Sequence, residues 1–327
     1  MKALVSTLIM VAALITLATV EQFTFPLAKL TVGVSDEAGA SVDGAIVKMT
    51  FKNPVPNPKD WGTGRGNKIV TARTDASGFC TLTDHCDGEL GGAVQKEGYY
   101  RGWWVPYTFH TSIDNKWQPW NPTVTVVLKK IINPIPMYAR RLETEMPLLD
   151  APVGFDLVEL DWVTPNGRGQ TSDFVFKLTK RVESFHDFSA ELVLSFSNQG
   201  DGIQTMPEST WGGSELRSPH SGPESGYSPS ISLLQGNSTG GGEYGTKNNP
   251  RDYFFRVRTG TDSKGEVVSA LYGKIYGSIE YFPVSYKTAK LRFTYYVNPT
   301  PSDRNLEFDP KHNLFTNLKP EERVTAP

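Results

Sequence analysis

Three turn motifs between alternating segments constrain the fold of the first third of this chain more than any other feature. They are Asp43-Gly44, Asp75–Gly78 and Gly98. An Asp side chain can cap a turn, and Gly supplies the positive φ with which the chain re-enters a strand. Segments such as Thr123–Leu128 alternate polar and apolar residues, which is the period of a half-buried strand. Short strands between turn signals predict an all-β sandwich or barrel.

The composition supports strands and turns rather than helices or disorder. The chain has 30 Gly and 23 Pro in 327 residues, with 11% aromatic residues. This usage suits short strands joined by many turns. The formal net charge of −2 gives no electrostatic reason to expect nucleic acid or an anionic membrane surface as a partner.

Residues 1–20 are predicted to be a secretory signal peptide. Lys2 precedes an almost unbroken apolar run from Ala3 to Val20, with small residues near Ala18. The alternative is an uncleaved anchor, which would be the chain's only contact with a membrane. The expected location is therefore secreted, periplasmic or at the cell surface.

The first module resembles the carboxypeptidase regulatory-like domain over about residues 28–130. The residues that carry the resemblance are Val42, Gly44-Ala45-Ile46-Val47, Thr74-Asp75, Gly78, Leu82, Val94, Lys96 and Gly98-Tyr99. The resemblance implies a transthyretin-like β-sandwich of seven strands, an accessory that docks on a catalytic domain, a receptor or another surface module. It carries over no catalytic residues. Two departures from the family are a long loop over residues 53–66 and an insert over residues 101–122.

The remainder is predicted to be a linker and a second module. Residues 131–150 contain several prolines and are interpreted as a stiff linker, with one exposed helical turn at Arg140–Glu145. Residues 151–327 are predicted to form a larger β-sandwich, for which the strand count suggests a jelly-roll-like order. Residues 197–251 are rich in Gly, Ser, Pro and Asn, and are interpreted as partly disordered or as a site.

The aromatic insert is the candidate ligand-binding site. Its residues are Arg101, Trp103, Trp104, Tyr107, Trp117 and Trp120. Flat aromatic faces beside amide and Arg donors suit the stacking of sugar rings, and they also suit protein interfaces. The alternative is an internal role, in which the insert folds back and seals the junction between the modules. The exposure of Trp103 and Trp117 distinguishes these interpretations.

Carboxylates offer a second, enzymatic interpretation. Two of Asp156, Asp161, Asp173 and Glu191 could act as acid and base in glycoside hydrolysis if they face each other across an open groove. Oxygen ligands around Asp201 allow a structural calcium ion, although the spacing does not match a twelve-residue calcium loop. No other cofactor or metal is expected.

Cys80 and Cys86 are the only cysteines of the chain. An exported protein meets an oxidising compartment, which permits a bridge between them. Two separate thiols are the alternative.

The leading functional hypothesis is an exported, non-catalytic binding or accessory protein of the cell envelope or extracellular space. It would recognise a polysaccharide or a surface protein through its aromatic loops. One alternative is a glycan-active hydrolase with paired carboxylates. The other is a structural subunit of a surface filament or layer, which would self-associate through strand edges.

Overall fold

The computed structural model describes residues 25–52, 67–207, 212–238, 242–245, 251–284 and 287–327. Throughout these ranges the chain is all-β, which confirms the predicted fold class, and its one helical element is a short 3-10 turn at Pro320–Glu322. The predicted signal peptide and the long loop over residues 53–66 lie outside the described residues. Among the described residues, no helix has both the length and the apolar character needed to cross a membrane.

Two compact units divide the chain. Residues up to Lys96 and Trp103–Val126 form the first unit, whereas Glu97–Gly102 and Val127–Pro327 form the second. The division therefore falls near Val126, slightly before the end of the first predicted module.

The first unit is built from two antiparallel-rich sheets. Its described strands are β1 (Leu27–Asp36), β2 (Ile46–Phe51), β3 (Lys68–Arg73), β4 (Phe79–His85), β5 (Glu89–Gln95), β6 (Gly102–Thr108), β7 (Thr111–Ile113), β8 (Lys116–Gln118) and β9 (Thr123–Leu128). One sheet has the order β4-β1-β8-β7 with β9 also paired to β1, and the other contains β6-β5-β2-β3. Seven strands were expected, and the additional ones lie in the insert over residues 101–122.

Strand β1 shows why the first sheet has one buried face. Ala28, Leu30 and Val32 are fully buried, while Lys29 and Thr31 between them are partly exposed. Successive side chains of a strand point to opposite faces, so the alternation in sequence becomes a core side and a solvent side.

The two cysteines remain separate thiols. Cys80 lies within β4 and Cys86 directly follows it. An extended strand advances about 3.3 Å per residue, which sets the two Cα atoms about 20 Å apart, whereas a disulfide needs less than about 7 Å. Burial raises the pKa of each thiol to about 11, so both are protonated and unreactive at neutral pH.

The second unit also contains two sheets. Its strands are β10 (Ile135–Glu145), β11 (Val153–Asp156), β12 (Asp161–Trp162), β13 (Phe174–Ser184), β14 (Asp187–Ser195), β15 (Gly202–Thr205), β16 (Gly212–Ser214), β17 (Ser230–Ser238), β18 (Gly242–Tyr244), β19 (Tyr253–Thr261), β20 (Val267–Phe282), β21 (Lys290–Val297) and β22 (Phe308–Asn313). The sheet orders are β15-β19-β20-β21-β10-β22 and β12-β11-β13-β14-β17-β18. A jelly-roll-like order was expected; in the observed order the consecutive strands that lie side by side are β11-β12, β13-β14, β17-β18, β19-β20 and β20-β21.

Aromatic side chains from both sheets form the core of the second unit. Phe174 of β13 meets Phe255 of β19 at 5.0 Å between ring centroids and Phe293 of β21 at 6.1 Å. Both sheets therefore contribute to one continuous hydrophobic cluster, which is the arrangement of a β-sandwich.

The segment predicted to be a linker is a strand of this second sandwich. β10 pairs antiparallel with β21 and parallel with β22. The alternating charges of Arg140–Glu145 resemble an exposed helical turn in the sequence. In the structure Glu143 pairs with Lys290 and Arg292 across the strands, and Arg140 pairs with Glu322. The charges thus serve cross-strand pairs, and the predicted helical turn was wrong.

Candidate binding face on the first unit

The predicted aromatic site separates into buried and exposed members. Trp104 is only 5% exposed, and its indole lies over Gly92 so closely that a Cβ atom there would be 2.0 Å from the ring. Trp104 is therefore a core residue of the first unit and cannot meet a ligand. This corrects its prediction as a binding residue.

Tyr107 and Trp117 belong to a chain of packed rings. Phe109 is buried, contacts Tyr107 edge-on at 4.9 Å and stacks on Trp117 at 6.0 Å. The Trp117 indole N–H donates to the carbonyl of Cys86 at 2.9 Å. Both predicted residues are half-buried, so their first role is to pack this end of the sandwich.

Arg101 does not join the aromatic residues in one unit. It belongs to the second unit, where its carbonyl accepts the backbone N–H of Glu215 at 2.7 Å. Trp103 is 38% exposed and lies on β6 of the second sheet of the first unit. The predicted cluster is therefore divided, and Trp120 is the member around which other polar groups gather.

The backbone holds Trp120 at the end of a short hairpin. Asp114 and Asn115 both have positive φ, which is the pattern of a tight two-residue turn between β7 and β8. After Trp120, Asn121 adopts positive φ and accepts a hydrogen bond from the Thr31 hydroxyl at 2.9 Å. The Thr31 N–H donates to the carbonyl of Pro122, also at 2.9 Å. The loop that carries the indole is thus tied to the middle of β1.

Two lysines approach the Trp120 indole. The Nζ atoms of Lys116 and Lys29 lie 5.4 Å and 5.9 Å from its ring centroid, within the range of cation–π attraction. β8 runs parallel to β1 with Lys116 beside Leu27, so Lys116 and Lys29 share one face of the sheet. Neither ammonium has an ion-pair partner among the described residues.

The same sheet face continues as a row of hydroxyl groups. Thr31 pairs with Thr81 across β1 and β4, and their hydroxyls lie 2.9 Å apart. Thr83 of β4 and Thr123 and Thr125 of β9 are also exposed. We use "threonine face" for the outward residues of β1, β4 and β9 beside Trp120. Its hydroxyl groups offer hydrogen-bond donors and acceptors next to an indole that is 39% exposed.

The carboxylates proposed for hydrolysis have structural partners in the second unit. Asp156 and Asp173 are each 1% exposed, and both bind the guanidinium of Arg258. Arg258 donates to Asp173 at 2.8 and 2.9 Å and to Asp156 at 3.0 Å. Burial opposes ionisation of Asp156, but backbone N–H donors, that of Glu159 first, outweigh it and hold its pKa below the ordinary value. The pair is a buried ion cluster rather than two acids across an open groove.

The other two candidate acids also lack a facing carboxylate. Asp161 accepts hydrogen bonds from the backbone and side chain of the exposed Arg168. Glu191 is exposed on β14 and accepts a hydrogen bond from the Ser232 hydroxyl. The geometry that a paired-carboxylate mechanism needs is therefore not formed by these four residues.

Asp201, the predicted calcium ligand, faces nitrogen donors. Its carboxylate accepts hydrogen bonds from the backbone of Thr259 at 2.8 Å, the backbone of Arg258 at 3.2 Å and the Asn198 amide at 3.2 Å. Within the described ranges, no three His, Cys, Asp or Glu side chains are grouped as metal ligands would be. The calcium site remains a prediction for which this carboxylate offers no free oxygen.

A polar network in the second unit was missed by the sequence analysis. Lys274 is fully buried, and its Nζ lies 2.6 Å from the Leu306 carbonyl, 2.9 Å from the Tyr276 hydroxyl and 3.3 Å from the Ser218 hydroxyl. Burial holds the pKa of Lys274 well below its ordinary value. The sequence did carry a signal for this network: Lys274 is a single lysine within the otherwise mostly apolar residues of β20.

Comparisons with known proteins add no functional assignment. No family model matches the chain, and no curated protein matches it. Among solved structures, the shaft pilin SpaA of Lactobacillus rhamnosus GG is similar at a TM-score of 0.19 and 13% identity, over 76% of this chain and 93% of that chain. A putative carbohydrate-binding protein of Bacteroides uniformis is similar at a TM-score of 0.18 and 12% identity, over 84% and 98%. Likeness at this level carries no argument about function.

Proposed function

We propose that this chain is an exported, non-catalytic binding or accessory protein that recognises a polysaccharide through the threonine face. The observation that carries the proposal is the exposed Trp120 indole, held by hydrogen bonds to β1 at the border of a row of hydroxyls. An indole stacks on the C–H face of a sugar ring, and hydroxyls and amides satisfy the sugar hydroxyls at its edge.

Preorganisation favours this face over the other predicted residues. The loop of Trp120 is tied to Thr31 by a side-chain and a backbone hydrogen bond, so ordering it on binding would cost little conformational entropy. Export is supported by the apolar N-terminal sequence, and the accessory role by the resemblance to carboxypeptidase regulatory-like domains. Both parts belong to the proposal.

A glycan array with the secreted chain tests the proposal. Trp120→Ala should lower the affinity for the bound polysaccharide more than ten-fold, because a central aromatic anchor typically contributes at least 2 kcal/mol. Trp103→Ala is the matched control, since Trp103 is equally exposed but lies on the other sheet. Trp117→Ala is unsuitable because that indole packs the sandwich.

Two results would overturn the proposal. One is a folded, secreted chain that binds no polysaccharide on the array. The other is equal binding by Trp120→Ala and the unmodified chain. A pull-down with the same proteins tests the surface-protein alternative, and sedimentation at high concentration tests self-association.

A further inference from the structure

We infer that the threonine face selects acidic polysaccharides, specifically polymers whose sugars carry carboxylate groups. This rests on the proposed function and assigns a ligand class to the same site. The observation behind it is the pair of lysines, Lys29 and Lys116, that share the Trp120 indole without an ion-pair partner among the described residues.

The outward residues of the threonine face include lysine and no acid. Within the first unit, the outward residues of its three strands are Leu27, Lys29, Thr31, Gly33, Ser35, Phe79, Thr81, Thr83, His85, Thr123 and Thr125. None of them is acidic. The acid within β4, Asp84, pairs with Lys68 of the other sheet. Lys29 on β1 and Lys116 on the adjacent β8 outnumber the exposed Asp114 of the β7–β8 turn, so this region carries net positive charge although the whole chain is slightly acidic.

The two ammonium groups lie close to the indole. Each lies over the Trp120 ring, between 5 and 6 Å from the indole centroid, so a carboxylate brought to the exposed indole comes within reach of an ammonium group. The carboxylate of a uronic acid lies close to the mean plane of its ring. A uronate bound beside Trp120 would therefore pair its carboxylate with an ammonium group, whereas a neutral hexose would leave both ammonium groups without an anionic partner.

Hydrogen bonds within the row hold the threonine hydroxyls in place. The Thr31 hydroxyl contacts both Thr81 and Asn121, each at 2.9 Å. Groups that are already held by one another present fixed donors and acceptors to neighbouring sugar units. Because a uronate polymer carries a carboxylate on successive units, neighbouring sugars held by the hydroxyls would bring one or two carboxylates to the lysines.

Affinity electrophoresis and calorimetry with defined polymers test the inference. The probes are polygalacturonate, alginate and hyaluronan, each compared with the neutral polymer made by reducing its carboxyl groups, together with dextran sulfate. We expect at least one uronate polymer to bind and its reduced form to bind at least ten-fold more weakly. Lys29→Gln and Lys116→Gln should each weaken binding about five-fold and reduce its sensitivity to salt.

Lys48→Gln is the matched control. Lys48 is an exposed strand lysine of β2, on the other sheet of the same unit, and its replacement makes the same change in net charge. It should leave uronate binding unchanged. An equal loss with Lys48→Gln would show a general charge effect and overturn the inference.

The outcomes separate this inference from the proposed function. Equal binding of reduced and uronate polymers, lost in Trp120→Ala, would overturn the acidic ligand class and leave polysaccharide recognition standing. Binding of dextran sulfate without any uronate polymer would also overturn it, in favour of sulfate esters. If no polymer of any charge binds, the proposed function itself fails.

Discussion

Replacing Arg258 with Met should strongly destabilise the second unit. The substitution leaves the buried carboxylates of Asp156 and Asp173 without their shared cation and removes three charge-assisted hydrogen bonds. Breaking a buried ion pair by removing one partner costs about 3–5 kcal/mol. A domain of 150–250 residues loses about 2–4 °C in melting temperature per kcal/mol, so we expect a decrease of about 10 °C.

The loss of stability should arise mainly from the unpaired carboxylate of Asp173. Asp156 keeps backbone N–H donors from Val158, Glu159 and the Gln170 segment, whereas Asp173 keeps one, from Leu157. Burial already raises the pKa of Asp173 against the opposing effect of Arg258, and without the guanidinium it should rise further. Protonation of Asp173 then removes the uncompensated charge, so the difference in stability between Arg258→Met and the unmodified chain should shrink as the pH falls from 7 toward 4.

Differential scanning calorimetry of the full chain measures the effect. Arg168→Met is the matched control, because Arg168 pairs with Asp161 at 3.1 Å while its side chain is 91% exposed. Exposed pairs contribute about 0–1 kcal/mol, so its transition should hardly move. The double variant Arg258→Met/Asp173→Asn should recover part of the loss. A decrease below about 3 °C for Arg258→Met, or a deficit independent of pH, would refute the reasoning.

Three further outcomes are expected. Gly92→Ala should destabilise the first unit by about 1–3 kcal/mol, because a Cβ atom there would meet an indole at 2.0 Å. Gly91→Ala is the control and should not destabilise it, because a Cβ atom at that position has nothing within 4 Å. Equal melting curves for the two variants would contradict this. The pKa of Lys274 is lowered by burial, so above that pKa the unfolded chain binds more protons than the folded chain. The free energy of unfolding of the second unit, measured by urea titration, should therefore rise from pH 8 toward 9.5 by up to ~1.4 kcal/mol per pH unit. Lys274→Met should abolish that rise. Mass spectrometry of the non-reduced chain should find Cys80 and Cys86 unbridged, and alkylation in denaturant should label both; a monomer lighter by two hydrogens would disprove this.

Local pattern was sufficient to predict about half of the described strands. Alternation in Thr123–Leu128 and Phe174–Leu178 led to β9 and to the start of β13. It failed at Arg140–Glu145, because Glu143 and Arg140 find their charged partners at Arg292 and Glu322, far along the chain. Pairing over such distances leaves no local signal, so a charged central strand resembles a helical turn.

The candidate site was predictable only in part. Trp120 was identified by residue type, but Lys29 and Lys116 were not, because their approach depends on the register of β8 against β1. The burial of Trp104 had an available signal: adjacent residues of a strand face opposite sides, so Trp103 and Trp104 cannot both be exposed. The role of Arg258 depends on the middle of β19 meeting the end of β11 and the residue before β13, and no motif in the sequence indicates that meeting.

The place of β10 has a consequence for how the second unit reaches its native state. Its two neighbours, β21 and β22, come from the far end of the unit, so the first strand to be synthesised is the last to be enclosed. Closing so long a loop is slow, because the intervening chain must lose conformational entropy before the stabilising contacts between β10 and its neighbours form. Until then both edges of β10 are open to other extended chains. A nascent copy therefore exposes a strand ready for wrong pairing for as long as the final strands are missing.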